Sequence, residues 1–176
     1  MTVDLAWYSI RTASMADAET MARHRALMFQ DMGSAPNAEA ETEHLFAASA
    51  PWFRSLLARG EYAGWFVVWR GETGGEDEEG DEIVAGGGIH LREMGPVPGC
   101  CRVGRSGHIA NIYTVPAHRR RGLARLLMET MLEWSESIGL DQVTLSASSD
   151  GRPLYSSLGF RATPEMMLPV RRTCAD

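Results

Sequence analysis

Asn111-Ile112-Tyr113-Thr114-Val115-Pro116-Ala117-His118-Arg119-Arg120-Arg121-Gly122-Leu123-Ala124-Arg125 is the stretch on which the fold turns. The run from His108 to Val115 is rich in β-branched and aromatic residues and reads as a strand, which Pro116 stops. A basic turn follows, and a helix opens at Gly122. The first N–H groups of such a helix have no carbonyl partner, and its dipole adds about half a positive charge there. Gly122 and Ala124 leave room for close approach, while Arg120, Arg121 and Arg125 supply further charge. That combination suits a phosphate, and a diphosphate best. Two familiar nucleotide loops are excluded. A Walker loop needs a lysine, and all 17 basic residues of this chain are arginine. A dinucleotide loop needs G-x-G-x-x-G, which is absent here.

Outward from this turn, Leu123, Leu127, Met131, Trp134 and Ile138 recur on one helical face until Gly139. Gln142 to Ser148 reads as a strand, Gly151 to Leu158 as a short helix and Met166 to Val170 as a last strand. Toward the N-terminus, Tyr8 to Ala13 reads as a strand, and Ser14 with Asp17 as a capping box. Met21, Arg25, Leu27, Met28 and Met32 mark a helix that ends at Gly33, and a second runs from Pro36 and Asn37 to Leu57, with Gly60 as its stop. Tyr62 to Trp69 is a buried strand. Ile83 to Leu91 is another, in which Gly86, Gly87 and Gly88 imply a bulge or the close approach of another group. Residues 93–107 read as a loop. The order strand, two helices, three strands, helix, strand, helix, strand defines a mixed α/β sheet, with the strands flanking the 122–138 helix parallel through a crossover. No linker or repeat divides residues 1–176, so one domain is expected.

Composition supports an ordinary globular domain, with 44% hydrophobic and 23% charged residues. Seven carboxylates crowd GETGGEDEEGDE at residues 71–82, a segment expected to be a mobile hairpin connection. Without them the net charge of −6 becomes +1, so the charge says little about a substrate. Cys100, Cys101 and Cys174 form neither a metal motif nor a disulfide framework, and no metal is expected. The start MTVDLAWYSIRTAS lacks a secretion signal, and no apolar run is long enough to span a bilayer. A cytoplasmic protein without membrane association is the expectation. Nucleic acid is a poor partner, because the arginines concentrate in one turn of an acidic chain.

Arg119-x-x-Gly122-x-Ala124 resembles the [QR]-x-x-G-x-[GA] signature of the GNAT superfamily of N-acetyltransferases. Pro153-Leu154-Tyr155-Ser156-Ser157-Leu158-Gly159-Phe160 resembles that superfamily's second block, and the two occur in the right order. The likeness is close over residues 108–160; before that only the order of elements agrees. It implies a mostly antiparallel central sheet with helices on both faces and a parallel pair around the cofactor helix. It also implies acetyl-CoA as cosubstrate, a small-molecule amine as acceptor, and a homodimer as a common state. On this resemblance, Ile112, Tyr113 and Thr114 offer backbone groups to the pantetheine arm. Arg120, Arg121, Gly122, Leu123, Ala124 and Arg125 hold the pyrophosphate.

The reaction so implied is direct attack of a neutral amine on the thioester, with the oxyanion of the tetrahedral intermediate held by an N–H of the same strand. Tyr155 stands at the position of the superfamily's tyrosine and is the candidate acid for the leaving thiolate. Many members use a strand glutamate as base, whereas strands 108–115 and 142–148 contain neither Asp nor Glu. His108 is the candidate replacement, with His90 a weaker one, and a strand-end histidine without catalytic duty is the plain alternative. Ser148 stands where many members carry asparagine. The superfamily's acceptor region implies Phe29, Met32, Trp52 and Phe53, each of which could equally be core, and Glu61 with Tyr62 could meet a cationic amine. A non-catalytic coenzyme A-binding regulatory module of the same fold is the competing reading.

Overall fold

The computed structural model describes residues 5–33, 38–71, 81–96, 98 and 103–168. Contacts divide the chain into two compact units, residues 1–146 and 147–176. The first holds a five-stranded sheet in the order β1-β2-β3-β4-β5. Its strands are β1 (Tyr8–Thr12), β2 (Tyr62–Trp69), β3 (Glu82–Met94), β4 (Gly104–Thr114) and β5 (Gln142–Leu145), and its helices are α1 (Ala18–Asp31), α2 (Ala38–Ala58) and α3 (Leu123–Ser137). Successive pairs are antiparallel except β4 and β5, which are parallel with α3 as their connection. The expected mixed sheet is therefore observed.

Successive strand residues point to opposite faces, so two neighbours on β2 locate the helices. Phe66 meets His24 of α1 edge-on at 5.8 Å, while Trp65 meets Trp134 of α3 at 5.1 Å. The α1 and α2 face builds a core from Met21, Ala22, Phe53, Leu56, Tyr62 and Phe66. The glycines of β3 are required by close approach. A Cβ on Gly87 would stand 2.4 Å from Ile112 Cδ1, and one on Gly88 would stand 2.5 Å from the carbonyl oxygen of Ala63.

The structure corrects several boundaries. The region read as a loop at 93–107 is partly strand, since the β3–β4 ladder runs out to Met94 and Gly104. Arg92, Glu93 and Arg105 carry no apolar signal there; backbone pairing alone extends the ladder. Helix α1 buries Ala18, Met21, Ala22, His24 and Ala26, so only Met21 of the methionine stripe lies on the inner face, with Met28 half-buried and Met32 exposed. At its start the Ser14 N–H and hydroxyl both donate to Asp17 Oδ2, at 2.8 and 2.9 Å. Residues 36–37 of the expected second helix, and residues 72–80 of the acidic segment, lie outside the described residues. The strands that flank the acidic segment pair as an antiparallel neighbour pair, with Trp69 opposite Glu82.

The second unit contains α4 (Arg152–Ser157). The strand expected at 166–170 is not formed over its described part. Met166, Met167 and Leu168 are 84–94% exposed and pair with no described strand, and an apolar run without a partner edge cannot satisfy its backbone as a strand. Residues 169–170 lie outside the described residues. Among the described residues no helix is long and apolar enough to cross a membrane, and no group of three or more His, Cys, Asp or Glu side chains could hold a metal ion.

Candidate functional site

Strand β4 is longer than its parallel neighbour. Pairing with β5 ends at Ile109 opposite Leu145, while β4 continues to Thr114. Along Ala110 to Thr114, the edge turned away from β3 has no described strand beside it. On the other edge a bulge interrupts the ladder, because Gly86 faces Tyr113 and Gly88 faces Ala110. Two residues of β4, Asn111 and Ile112, thus oppose Gly87 alone. Asn111 takes the strain with φ +62°, a left-handed conformation that asparagine tolerates better than most residues.

The open edge leads into the arginine turn. Arg120 at φ +62° and Gly122 at φ +81° are both left-handed, an alternation that gathers successive amides into an anion-binding concavity. Gly122 is the N-cap of α3, and no side chain caps the helix. A Cβ on Gly122 would meet nothing within 4 Å, so the space before the helix start is open. An open edge of extended backbone followed by uncapped amides fits a long, phosphate-bearing ligand.

The three arginines of the turn differ in use. Arg119 donates from Nε to the Thr114 carbonyl at 2.9 Å and pairs with Asp31 at the end of α1, which pins the turn to the sheet. Arg121 Nη1 donates to Tyr8 Oη at 2.9 Å, and that hydroxyl lies 3.0 Å from His118 Nδ1. The Arg121 side chain therefore braces the turn against β1, leaving its backbone for a ligand. Arg120 is exposed and has no hydrogen-bond or ion-pair partner among the described residues. Arg125 lies 3.4 Å from Glu129 one helical turn on, both of them half exposed. Tyr113 turns its ring to the α1 side, 5.0 Å from His24, so its backbone and not its phenol faces the open edge. Burial chiefly, with Asp31, raises the Tyr113 pKa.

His108 lies where β4 is still paired on both sides, opposite His90 on β3 and Thr144 on β5. Its Nδ1 is 3.0 Å from Thr144 Oγ1, and that hydroxyl is within 3.4 Å of the Gly107 carbonyl. With the Thr144 hydroxyl donating to that carbonyl and accepting from the ring, the histidine proton would sit on Nδ1 and Nε2 would be the basic nitrogen. His90 stands 6.3 Å from the Trp52 ring, its pKa lowered first by burial and then by Arg92.

In the second unit Tyr155 packs 6.2 Å from Phe160 and lies over Gly151, where a Cβ would come within 2.7 Å of the ring. Burial raises its pKa and keeps the phenol protonated, as an acid requires. Ser148 Oγ accepts the Gly151 N–H at 3.1 Å, giving this serine a local turn-stabilising role.

Of the acceptor-region residues, Phe53 is fully buried core, Met32 is 53% exposed and Trp52 is 40% exposed. Glu61 is paired with Arg59 at 2.7 Å and Tyr62 is buried, so neither is arranged for a cationic amine. Two residues outside the sequence-derived site stand beside it. Arg25 Nη1 donates to Asn111 Oδ1 at 2.6 Å, and Asn111 Nδ2 donates to Tyr62 Oη at 2.9 Å. Their signals were present: an arginine inside the apolar stripe of α1, and an asparagine in step with inward-facing Ile109 and Tyr113.

Residues 85–167 match the acetyltransferase (GNAT) domain family, a span that includes β4, the arginine turn and Tyr155. A GCN5-related N-acetyltransferase from Ralstonia eutropha JMP134 is 29% identical with a TM-score of 0.75, over 93% of this chain and 98% of that one. A predicted acetyltransferase from Clostridium acetobutylicum, solved with acetyl-CoA, is 26% identical with a TM-score of 0.74, over 93% and 96%. Glucosamine-6-phosphate N-acetyltransferase from Arabidopsis thaliana shares the fold at 16% identity, with a TM-score of 0.63 over 93% and 97%. No curated protein sequence gives a match. Over residues 85–167 the chain thus matches the GNAT acetyltransferase family, and its fold is that of GCN5-related N-acetyltransferases.

Proposed function

We propose that this protein is an acetyl-CoA-dependent N-acetyltransferase that moves an acetyl group to a primary amine of a small molecule by direct attack in a ternary complex. In this reading residues 1–176 act as one catalytic domain in the cytoplasm, as a homodimer. The observation that carries it is the open edge of β4 running into an uncapped, left-handed turn at Gly122. Acetyl-CoA, when bound, supplies the acetyl thioester. Ile112, Tyr113 and Thr114 hold its pantetheine arm by backbone groups. The amides of Gly122, Leu123 and Ala124 take the diphosphate, with Arg120 and Arg125 adding charge and Arg121 bracing the turn through Tyr8. His108 accepts the amine proton at Nε2, and Tyr155 donates its phenolic proton to the departing sulfur.

Calorimetric titration with acetyl-CoA, followed by free-thiol release against a panel of primary amines, tests this. Tight binding with amine-dependent thiol release is expected. The absence of a carboxylate from β4 and β5 favours the second reading, a coenzyme A-binding regulatory module, and tight binding with no release across the panel would select it.

Tyr155→Phe is expected to lower turnover at least tenfold with little change in cofactor affinity, because the ring stays and only the proton goes. Unchanged turnover would remove Tyr155 as the acid. His108→Ala should abolish the limb on which turnover falls with acid; a pH profile that keeps this limb assigns the base elsewhere.

A further inference from the structure

Arg25 carries a positive charge that has no counter-charge among the described residues. Its guanidinium lies against two rings, 4.9 Å from the centroid of Phe29 and 5.4 Å from that of Trp52. Its hydrogen-bond partner is the neutral Asn111 amide, which is itself tied to Tyr62. Burial pushes the Tyr62 phenol up to about 12, so it too is neutral at pH 7. No Asp or Glu among the described residues forms an ion pair with Arg25, whereas Arg11, Arg54, Arg59, Arg119 and Arg125 each have one. Burial lowers the Arg25 pKa, the mark of a cation held in a poor solvent for charge.

A structural role would not need the charge, since an apolar side chain could pack against the two rings at less desolvation cost. A guanidinium packed against two rings, with one of its five N–H groups committed among the described residues, presents a pre-oriented planar fork suited to an oxyanion. Its position gives that fork a use. Asn111 is the left-handed bulge residue of β4, directly before Ile112 and Tyr113, and Trp52 at 40% exposure leaves the cluster reachable from solvent.

We propose that Arg25, packed against Phe29 and Trp52 and tied to Asn111, binds an oxyanion of the acceptor, so that the amine acetylated belongs to a molecule also bearing a carboxylate or a phosphate ester. This rests on the acetyltransferase reading and names its acceptor class; polyamines, which bring only positive charge, are excluded from it.

The test compares thiol release with α-amino acids, the same amino acids as primary amides, aminoalkyl phosphates and a polyamine, in wild type and Arg25→Gln. In wild type, kcat/KM for one anionic set is expected to exceed that for the amides at least thirtyfold, and the better set names carboxylate or phosphate. Arg25→Gln should bring that ratio close to one, mainly through KM. Arg25→Lys, which keeps the charge and loses the fork, should retain only part of the preference and serves also if Arg25→Gln fails to fold. A second readout needs no turnover: N-acetylated amino acids, but not their amides, should change the intrinsic fluorescence in a manner lost in both Trp52→Phe and Arg25→Gln. Amides or polyamines acetylated as well as the anions, with no response to Arg25→Gln, would overturn the anion subsite and leave the acetyltransferase reading standing. If no acceptor gives thiol release, the acetyltransferase reading falls. The fluorescence titration then decides for Arg25 by itself: an anion-specific, Arg25-dependent change upholds the subsite and its absence overturns it.

Discussion

Gly122→Glu is expected to weaken acetyl-CoA binding at least a hundredfold in calorimetric titration while leaving the protein folded. The backbone at this residue is left-handed, φ +81°, so a side chain costs about 1–2 kcal/mol of strain. There is no clash to add, since nothing lies within 4 Å of the Cβ position. A carboxylate at a helix start also interacts favourably with the dipole of α3, which offsets part of that strain. The loss therefore falls on the ligand. A unit charge about 5 Å from a phosphate, at the effective dielectric of a protein surface, repels it by about 3 kcal/mol, which is roughly a hundredfold in affinity. Gly122→Asn separates charge from strain, because asparagine accepts the left-handed region and is neutral; it should bind within about tenfold of wild type. Full retention of affinity by Gly122→Glu would remove the diphosphate from this turn.

The turn was legible because its signals are local. Pro116 ends a strand, Gly122 permits a positive φ, and the apolar period from Leu123 to Met131 belongs to one helix. The glycines at 86–88 were legible for the same reason, as positions where neighbouring atoms leave no room for a Cβ. What the sequence withheld is partnership across the chain. Arg119 and Arg121 look alike beside Arg120, yet one reaches Asp31 and the other Tyr8, more than eighty residues away in each case. The β4 bulge depends on a register set by β3, and Asn111 announces it only by being polar among inward-facing neighbours. Helix α1 misled because its buried face is mostly small residues and a histidine, and of the methionines in the stripe only Met21 lies on it. The apolar Met166 to Leu168 misled in the opposite sense, since composition alone does not provide a neighbouring edge.

That same histidine on α1 sets the acid stability. His24 is 6% exposed, with the rings of Phe66 and Tyr113 beside it, and its Nδ1 has no hydrogen-bond partner among the described residues. Neither these neighbours nor adjacent Arg25 can favour an imidazolium, and burial holds its pKa down to about 4. An unfolded histidine titrates near 6.5. Above that value both states are neutral and stability is complete. Between about 6.5 and 4 the unfolded chain binds a proton that the native fold refuses, so stability falls with falling pH, by at most about 1.4 kcal/mol per unit and about 3 kcal/mol across the window. Below 4 the fold is protonated as well and the loss levels off. Asp17, which Arg11 holds down to about 2, acts in a lower window: its contribution is present above about 3.8 and is lost toward pH 2. His90 and His118 are shifted in the same direction as His24, so only a difference measurement isolates it. His24→Met removes the ionisation and the unpartnered nitrogen while keeping an apolar group of similar bulk. In urea denaturation at pH 7.5 and 4.5, wild type is expected to lose about 2–3 kcal/mol more than His24→Met. A parallel fall in the two proteins would mean that the imidazole is charged in the native state, and that the α1 face opens to admit the proton.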